Sequence, residues 1–351
     1  MESDKKIAFA LGGLAGNNAH GAGFLQAAID LHVEPSIISL SSGQVLWVYR
    51  YLQEKSQKQH KPNLRKLLEE DIKALETTKS FDVDTALLFL FGKADVYRPA
   101  FQEFTADFLR NSIHSFRSIM DRWPNVFVTK ELLDSIPGRL LVPEFPEDFF
   151  ERISKALNDE PVIGMVFNSF DPLNGIEAVY LNRAARKLEA ESKSKYRWRT
   201  KYSDITPEAV KDGLKLYQYG FDESNDGHLD GAYYRQIMLS ELAFVTDIFV
   251  ARPINHQWVG GSLPRGYAGI EDLKTKVGFN GSYAGERDKI NLINKLIDDK
   301  SLGEPYKRIN LIEVEIELKR GYFDYIYESL EVFDHAYKCA AAKIQEYVGH
   351  P

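Results

Sequence analysis

Short apolar runs alternate with helical apolar patterns near the start of the chain. Residues 7–11 form a compact apolar run, and apolar side chains recur at helical spacing over residues 24–31. A second β-branched run, Ile37-Ile38, leads into another helical pattern that starts at Val45. Because strand, helix, strand and helix follow one another, the pattern predicts a β-α-β unit and a sheet that is at least partly parallel.

The later chain predicts more elements of both kinds. Residues 161–181 predict a hairpin, because two apolar strands flank the turn signals Asp171-Pro172 and Asn174-Gly175. Residues 254–287 are rich in glycine and weakly periodic, which predicts an extended loop. Further strands are predicted at 242–253 and 309–318, and helices at 62–78, 101–120, 289–297 and 326–348. We expect one α/β domain with helices on both faces of its sheet.

Two segments are strongly apolar or aromatic. Ala86–Phe91 reads ALLFLF, which is typical of a buried helix or strand, the alternative being the lining of an acyl-chain pocket or a lip that touches a membrane. Over residues 101–120, aromatic and aliphatic side chains recur at helical spacing, and we expect this stripe to lie in the core. By placement alone, the two segments are also candidates for a cap over an active site.

Composition narrows the class of protein. Hydrophobic residues make up 44% and charged residues 27% of the 351 residues, which is typical of a globular protein. The net charge of −7 argues against a nucleic-acid partner. A single cysteine, Cys339, rules out an internal disulfide and a cysteine-rich metal site, so we expect a reducing, cytoplasmic location. The run at residues 7–11 is too short for a signal peptide, and no run is long enough to span a membrane.

A local basic stretch stands out in this acidic chain. Residues 183–201 contain eight lysines or arginines and two glutamates. A solvated surface is the ordinary interpretation, and contact with anionic lipid headgroups is the alternative.

The turn between the second strand and its helix carries the first candidate chemistry. It reads Ser39-Leu40-Ser41-Ser42-Gly43, and a turn this tight accepts only small side chains. A serine at its apex would hold its hydroxyl above the sheet, as in the nucleophile elbow G-x-S-x-G, here as S-x-S-x-G. Ordinary helix capping by serine is the alternative interpretation.

A glycine-rich loop between the first strand and the first helix adds a second signal. Its sequence after Leu11, GGLAGNNAHGAG, does not match the dinucleotide pattern G-x-G-x-x-G, and the second strand lacks the acidic residue that would bind a ribose. Glycines also leave backbone N–H groups open to a developing oxyanion beside a helix N-terminus. That use fits a nucleophile on the next strand.

The order of these features resembles the patatin-like phospholipase family. The matching stretches are ALGGLAGNNAHGAGFLQAA, SIISLSSGQVLW and GHLDGAYYR, with VFNSFDPLNGIEAVYL and AFVTDIFVARP similar to flanking strands. The resemblance covers roughly residues 6–255. It implies a three-layer α/β/α fold with a mostly parallel central sheet, in a single domain over residues 1–351. A C-terminal strand and helix at about 305–349 would pack on this core.

The resemblance also implies a Ser-Asp dyad. Ser41 matches the nucleophile, and Asp230 of Asp230-Gly231-Ala232 matches the base, with Asp226-Gly227 as the weaker alternative. The backbone N–H groups of Gly12, Gly13 and Leu14 match the oxyanion loop, and Gly43 matches the small residue that lets the elbow close. Both motifs depart from the family pattern: Ser39 replaces the first glycine of the elbow. In the oxyanion loop, Leu14 stands at the third glycine or, in the alignment shifted by one, the run is Gly13-Leu14-Ala15, and Gly16 or Asn17 stands at the arginine.

The expected function is therefore serine acyl hydrolysis of a lipid ester such as a phospholipid, without a cofactor or metal. The expected partner is a lipid substrate, with peripheral contact at a membrane surface. The two departures keep open a second interpretation, a patatin-like fold that binds a lipid or a partner without turnover. A Ser-His-Asp hydrolase is a third, with His256 or His335 as the histidine, but the early elbow suits that strand order poorly. His20 and His228 lie near the proposed site in sequence.

Overall fold

A computed structural model describes most of the chain. The described residues are 6–14, 18–56, 62–77, 97–124, 128–139, 141–143, 145–192, 199–221, 227–258, 261–303, 306–315 and 329–349. The chain divides into two compact units, one of Met1–Ile72, Asp148–Lys215 and Gly227–Pro351 and one of Lys73–Glu147 and Leu216–Asp226. The predictions for residues 86–91, for Asp226 and for the arginine position at 16–17 lie outside the described residues.

An eight-stranded sheet forms the centre of the first unit, in the order β10-β9-β1-β2-β5-β6-β7, with β8 paired to β5 off this path. These strands are β1 (Ile7–Leu11), β2 (Ile37–Leu40), β5 (Gly164–Asp171), β6 (Ile176–Leu181), β7 (Thr200–Asp204), β8 (Leu229–Asp230), β9 (Asp247–Arg252) and β10 (Asn310–Glu315). From β10 to β5 all neighbours are parallel, and β6 pairs antiparallel to β5. The predicted β-α-β unit, the mostly parallel sheet and the hairpin at 161–181 are confirmed.

Helices flank this sheet and give a three-layer α/β/α fold. They are α1 (Ala19–Asp30), α2 (Gln44–Ser56), α3 (Leu64–Thr77), α6 (Phe149–Asp159), α7 (Arg183–Ser192), α8 (Pro207–Gly213), α9 (Tyr267–Asp298) and α10 (Leu330–Gly349). Because helices cover the central strands, β1, β2 and β9 are buried almost throughout and their sequences are mostly apolar. The C-terminal elements lie in this unit, where β10 extends the sheet beside β9 and α10 packs along α1.

The short strand β8 occupies a position that matters for the site. β2 pairs with residues 164–167 of β5, whereas β8 pairs with Ser169 and Phe170 of the same strand. Since β6 pairs along the other edge of β5, β8 lies on the β2 edge, just beyond the carboxyl end of β2. The sheet therefore brings Asp230, the second residue of β8, to the turn that follows β2.

The prediction of an extended loop over residues 254–287 was wrong for its second half. Helix α9 starts at Tyr267 and runs for 32 residues, so the helix predicted at 289–297 is only its last part. Several glycines within it weaken the helical signal, and at Gly278, Gly281 and Gly285 a side chain would meet nothing within 4 Å. Packing decides the conformation instead, because Phe279, Tyr283, Glu286 and Ile290 share one buried helical face.

The second unit contains a two-stranded antiparallel sheet, β3 (Tyr97–Pro99) with β4 (Leu141–Pro143), and the helices α4 (Phe101–Arg122) and α5 (Val128–Asp134). Helix α4 confirms the helix predicted at 101–120, but the expectation that its stripe is core was wrong. Leu109, Ile113, Phe116 and Met120 follow one face at helical spacing, and each exposes more than half of its surface, 64% for Phe116. Among the described residues, no helix is long and apolar enough to cross a membrane.

Candidate active site

The turn between β2 and α2 is a strained elbow. Strand β2 ends at Leu40 and α2 begins at Gln44, which leaves Ser41, Ser42 and Gly43 to reverse the chain. Ser42 has a φ of +54°, in the left-handed region that side chains other than glycine rarely adopt. The turn is closed by the amides of Gln44 and Val45, which donate to the carbonyls of Ser41 and Ser42. The predicted elbow is therefore present, with Ser42 at its strained position.

The Ser41 hydroxyl makes two hydrogen bonds, one as donor and one as acceptor. Its Oγ donates to the backbone carbonyl oxygen of Gln236 at 2.6 Å and accepts from the backbone N–H of Gly13 at 2.8 Å. The side chain of Gln236 closes a second link, because its Nε2 donates to the Gly13 carbonyl oxygen at 2.7 Å. Ser41 is fully buried. In this conformation its hydroxyl links the elbow to the glycine loop and to the segment that contains Gln236.

The three amides expected to form an oxyanion loop have different partners. The Gly12 N–H donates to the Ala251 carbonyl and so continues the sheet, while the Leu14 N–H donates to the Asn18 side chain. Only the Gly13 N–H, of these three, points at an elbow hydroxyl. A Cβ atom added at Gly13 would overlap Ser42 Cβ and the Ser41 backbone, so glycine is required there for the loop to approach the elbow.

Asp230 is buried beside the same elbow. Its side chain is 1% exposed, and burial raises the pKa of its carboxyl group from an ordinary value near 3.8 to about 7. Hydrogen bonding from the Ser42 hydroxyl and from the Ala232 N–H favours the charged form and partly offsets that rise in pKa. Asp230 thus faces Ser42, whereas the hydrogen bonds of the Ser41 hydroxyl go to Gly13 and Gln236.

The residues after Asp230 are fixed by close packing. A Cβ atom at Gly231 would overlap the side chain and backbone of Asn168, so the Asp-Gly pair needs its glycine. Asn168 is fully buried and donates through Nδ2 to the carbonyls of Gly231 and Arg235. The Ser39 hydroxyl donates to the Met238 carbonyl at 2.7 Å, so the serine that replaces the first glycine of the family pattern also ties β2 to this loop.

Two buried side chains, those of His20 and Gln44, form hydrogen bonds to the glycine loop. His20 Nε2 donates to the Gly12 carbonyl oxygen at 2.8 Å, and Gln44 Nε2 donates to the same oxygen at 3.2 Å. Burial lowers the pKa of His20 to about 3, and the hydrogen bond to Gly12 offsets this decrease only in part. The ring is therefore neutral at physiological pH. His20 therefore helps to shape the loop.

A buried ion cluster, which we call the Arg235 cluster, anchors the segment that carries these contacts. The Arg235 guanidinium lies 2.8 Å from Glu177, 2.6 Å from Glu241 and 3.2 Å from Glu286. Glu286 also accepts from the N–H groups of Leu239 and Ser240. Residues 235–240 are thereby fixed to β6 and α9.

Sequence reasoning missed the Arg235 cluster and Gln236. One signal was available for Glu177, which alternates with Val179 and Leu181 on one face of the predicted strand, whereas Glu286 fell in the segment predicted as a loop. A charge at such a position needs a buried partner.

The other candidate histidines have partners elsewhere. His228 Nδ1 lies 2.9 Å from Ser169 Oγ, and His335 lies beside Cys339 on α10. His256 Nε2 lies 3.2 Å from Glu315 and 3.6 Å from Glu313, and the Arg252 guanidinium binds both carboxylates. The structure does not bring any of these three rings into hydrogen-bond contact with Ser41, whose two bonds are accounted for above.

Comparison with known proteins adds nothing to these observations: no protein-family model matches the chain, and no curated protein matches its sequence. The likeness to patatin-like phospholipases thus depends on the order of the motifs.

Proposed function

We propose that this chain is a serine acyl hydrolase whose nucleophile lies at the Ser41-Ser42 elbow and whose base is Asp230. The family pattern places the nucleophile at Ser41. The observation that carries the proposal is the position of β8, which delivers a buried carboxyl group to the strained turn at the end of β2. Strand, elbow, glycine loop and carboxylate then lie at one end of one sheet.

The environment of Asp230 suits a base that works without histidine. A serine hydroxyl becomes a good nucleophile only when a neighbouring group takes its proton. A carboxylate near its usual pKa is a weak base, but one whose pKa is about 7 takes up a proton readily at neutral pH. The Gly13 N–H is the supported oxyanion donor, provided that it exchanges its present partner, the Ser41 hydroxyl, for the substrate oxygen.

A lipid ester is the proposed substrate, and the cytoplasm, at a membrane surface, is the proposed location. The resemblance supports an acyl ester, and the single cysteine suits a reducing compartment. The exposed apolar face of α4 supports contact with lipid, because an amphipathic helix that presents bulky apolar side chains to solvent can insert them between headgroups.

A second candidate, a lipid- or partner-binding module without turnover, is favoured by one observation. Ser41 and Ser42 are both buried, and the Gly13 N–H already has a partner, so this conformation is closed to a substrate. An enzyme has to open at this point, whereas a binding module does not.

Labelling with a short-chain fluorophosphonate separates the two candidates. The hydrolase predicts covalent labelling of the wild type, none in a variant that lacks both elbow hydroxyls, and a strong loss in Asp230→Asn. Its labelling rate should rise between pH 5 and pH 8 as Asp230 loses its proton. Absence of labelling in folded wild-type protein would contradict the hydrolase and favour the binding module.

A further inference from the structure

The backbone distinguishes the two elbow serines. Among the described residues, three other non-glycine residues have positive φ, namely His32, Arg199 and Lys300, and all three lie in exposed turns. Ser42 is 2% exposed, and its strain is held in place by packing. Strained non-glycine backbone that is buried and over-determined by its surroundings is concentrated at functional sites. In a nucleophile elbow it is the reacting serine that occupies the sharp turn.

The two serine hydroxyls also differ in the groups that lie next to them. Ser41 Oγ uses its proton on the Gln236 carbonyl and accepts the Gly13 N–H, and both partners are main-chain groups fixed by the surrounding fold. For Ser41 to attack a substrate, it would have to leave the Gln236 carbonyl, which is not a base that can take its proton. Ser42 instead lies beside the Asp230 carboxyl group, which can take a proton, and hydrogen bonding from Ser42 lowers the pKa of that group against the larger effect of burial.

The packing of the glycine loop gives a third observation. A Cβ atom at Gly13 would overlap both Ser42 Cβ and the Ser41 backbone, so the glycine loop approaches the elbow as closely as the atoms allow. For a substrate attacked from Ser42, the Gly13 N–H is the nearby main-chain donor, once it exchanges the Ser41 hydroxyl for the substrate oxygen.

From these contacts we propose that Ser42 is the nucleophile and that Ser41, the serine the family pattern matches, is a positioning residue that ties the glycine loop to Gln236. This assignment depends on the proposed acyl hydrolysis. Ser42 Oγ attacks the ester carbonyl carbon as its proton passes to the Asp230 carboxylate, and the carbonyl electron pair moves to oxygen. Collapse of the tetrahedral intermediate expels the alcohol, which takes the proton from Asp230. Water then attacks acyl-Ser42, giving its proton to Asp230, and the expelled Ser42 Oγ recovers that proton with release of the carboxylic acid.

Mapping of the labelled residue tests the assignment. Wild-type protein is treated with a short-chain fluorophosphonate and digested, and fragment ions that break the chain between Ser41 and Ser42 locate the adduct. An adduct on Ser42 is the expected result. An adduct on Ser41 overturns the assignment while leaving serine hydrolysis intact. No adduct on either serine of the folded protein overturns both.

Two matched variants strengthen the test. Ser42→Gly removes the hydroxyl and suits the left-handed backbone, so it should fold at least as well as the wild type and lose labelling completely. Ser41→Ala should still be labelled on Ser42, at an initial rate about tenfold lower because no hydroxyl then holds the Gly13 N–H at the elbow before the probe binds. Its final labelled fraction and the pH midpoint of labelling should stay unchanged, and Ser41→Thr, which keeps a hydroxyl, should recover part of the rate. Persistent labelling of Ser42→Gly, or complete loss in folded Ser41→Ala, would contradict the assignment.

Discussion

Asp230 pairs with Ser169 across the antiparallel contact of β8 and β5. That single pairing places the carboxyl group at the elbow, because β5 continues past the end of β2 and offers its free edge there to β8. A two-residue strand thus determines which acidic side chain reaches the serines, although it lies far from them in sequence.

Burial of Asp230 predicts a particular dependence of stability on pH. Its pKa is about 7 in the folded protein and near 3.8 when unfolded, so the folded state holds this proton more tightly. The contribution of Asp230 to folding is therefore fully present at acid pH and is lost as pH rises from about 4 to about 7, with a difference on the order of 4 kcal/mol. Asp230→Asn has no such titration. Urea unfolding should show that the variant gains stability over the wild type between pH 4 and pH 8.

A control separates this effect from amide substitution in general. Asp121→Asn, at an exposed position on α4, should change the free energy of unfolding little at either pH. If the difference between Asp230→Asn and the wild type did not grow with pH, the carboxyl group would not be titrating in a buried site.

Close packing at Gly13 predicts opposite outcomes for two glycine substitutions. Gly13→Ala would force the glycine loop away from Ser42, and a displacement of about 1 Å at the reacting atoms should lower fluorophosphonate labelling by about 100-fold. Gly278→Ala, inside α9 with open space around it, should stabilise the helix by about 1 kcal/mol and leave labelling unchanged. Unchanged labelling of Gly13→Ala would show that the loop can relax and does not hold the elbow.

The sequence predicted those parts of the fold that depend on local pattern. Buried parallel strands are mostly apolar in sequence, and β1, β2 and β9 could be recognised in this way. Helix α9 could not, because its glycines lower the intrinsic helical preference and only tertiary packing of Phe279 and Tyr283 restores it.

For the candidate site as well, local motifs predicted some features, and tertiary contacts determine the others. Motif order predicted the elbow, the glycine loop and Asp230 as site residues, and the structure brings them to one end of the sheet. The pattern S-x-S-x-G contains two adjacent serines, and their backbone angles and partners depend on contacts with residues 230–238, which no local pattern encodes. For the same reason the tie from Ser41 to Gln236 was not foreseen.

The exposed stripe of α4 predicts contact with lipid. Ile113 and Phe116 expose 57% and 64% of their surfaces, and burial of one such side chain in a membrane interface is worth about 1.5–3 kcal/mol. Ile113→Glu and Phe116→Glu should each lower co-sedimentation with phosphatidylcholine vesicles by about tenfold or more. Val162→Glu, at a position that is 73% exposed in the first unit, is the matched control and should bind like the wild type. Equal loss in all three variants would make the effect one of charge and not of the α4 face.

The Arg235 cluster predicts that one buried cation stabilises the fold and positions the segment that contacts Ser41. Removing it in Arg235→Met leaves three carboxylates buried without their counter-ion, and loss of one partner from a buried ion pair typically costs about 3–5 kcal/mol. The free energy of unfolding in urea should fall by that amount at neutral pH. Arg186→Met, which breaks an exposed pair with Asp204, should cost no more than about 1 kcal/mol.

The same two variants predict an effect on labelling. Because residues 235–240 hold the Gln236 carbonyl against Ser41, labelling should slow in folded Arg235→Met and stay normal in Arg186→Met. A loss of stability without any change in labelling would mean that the cluster supports the sheet alone and leaves the elbow in place.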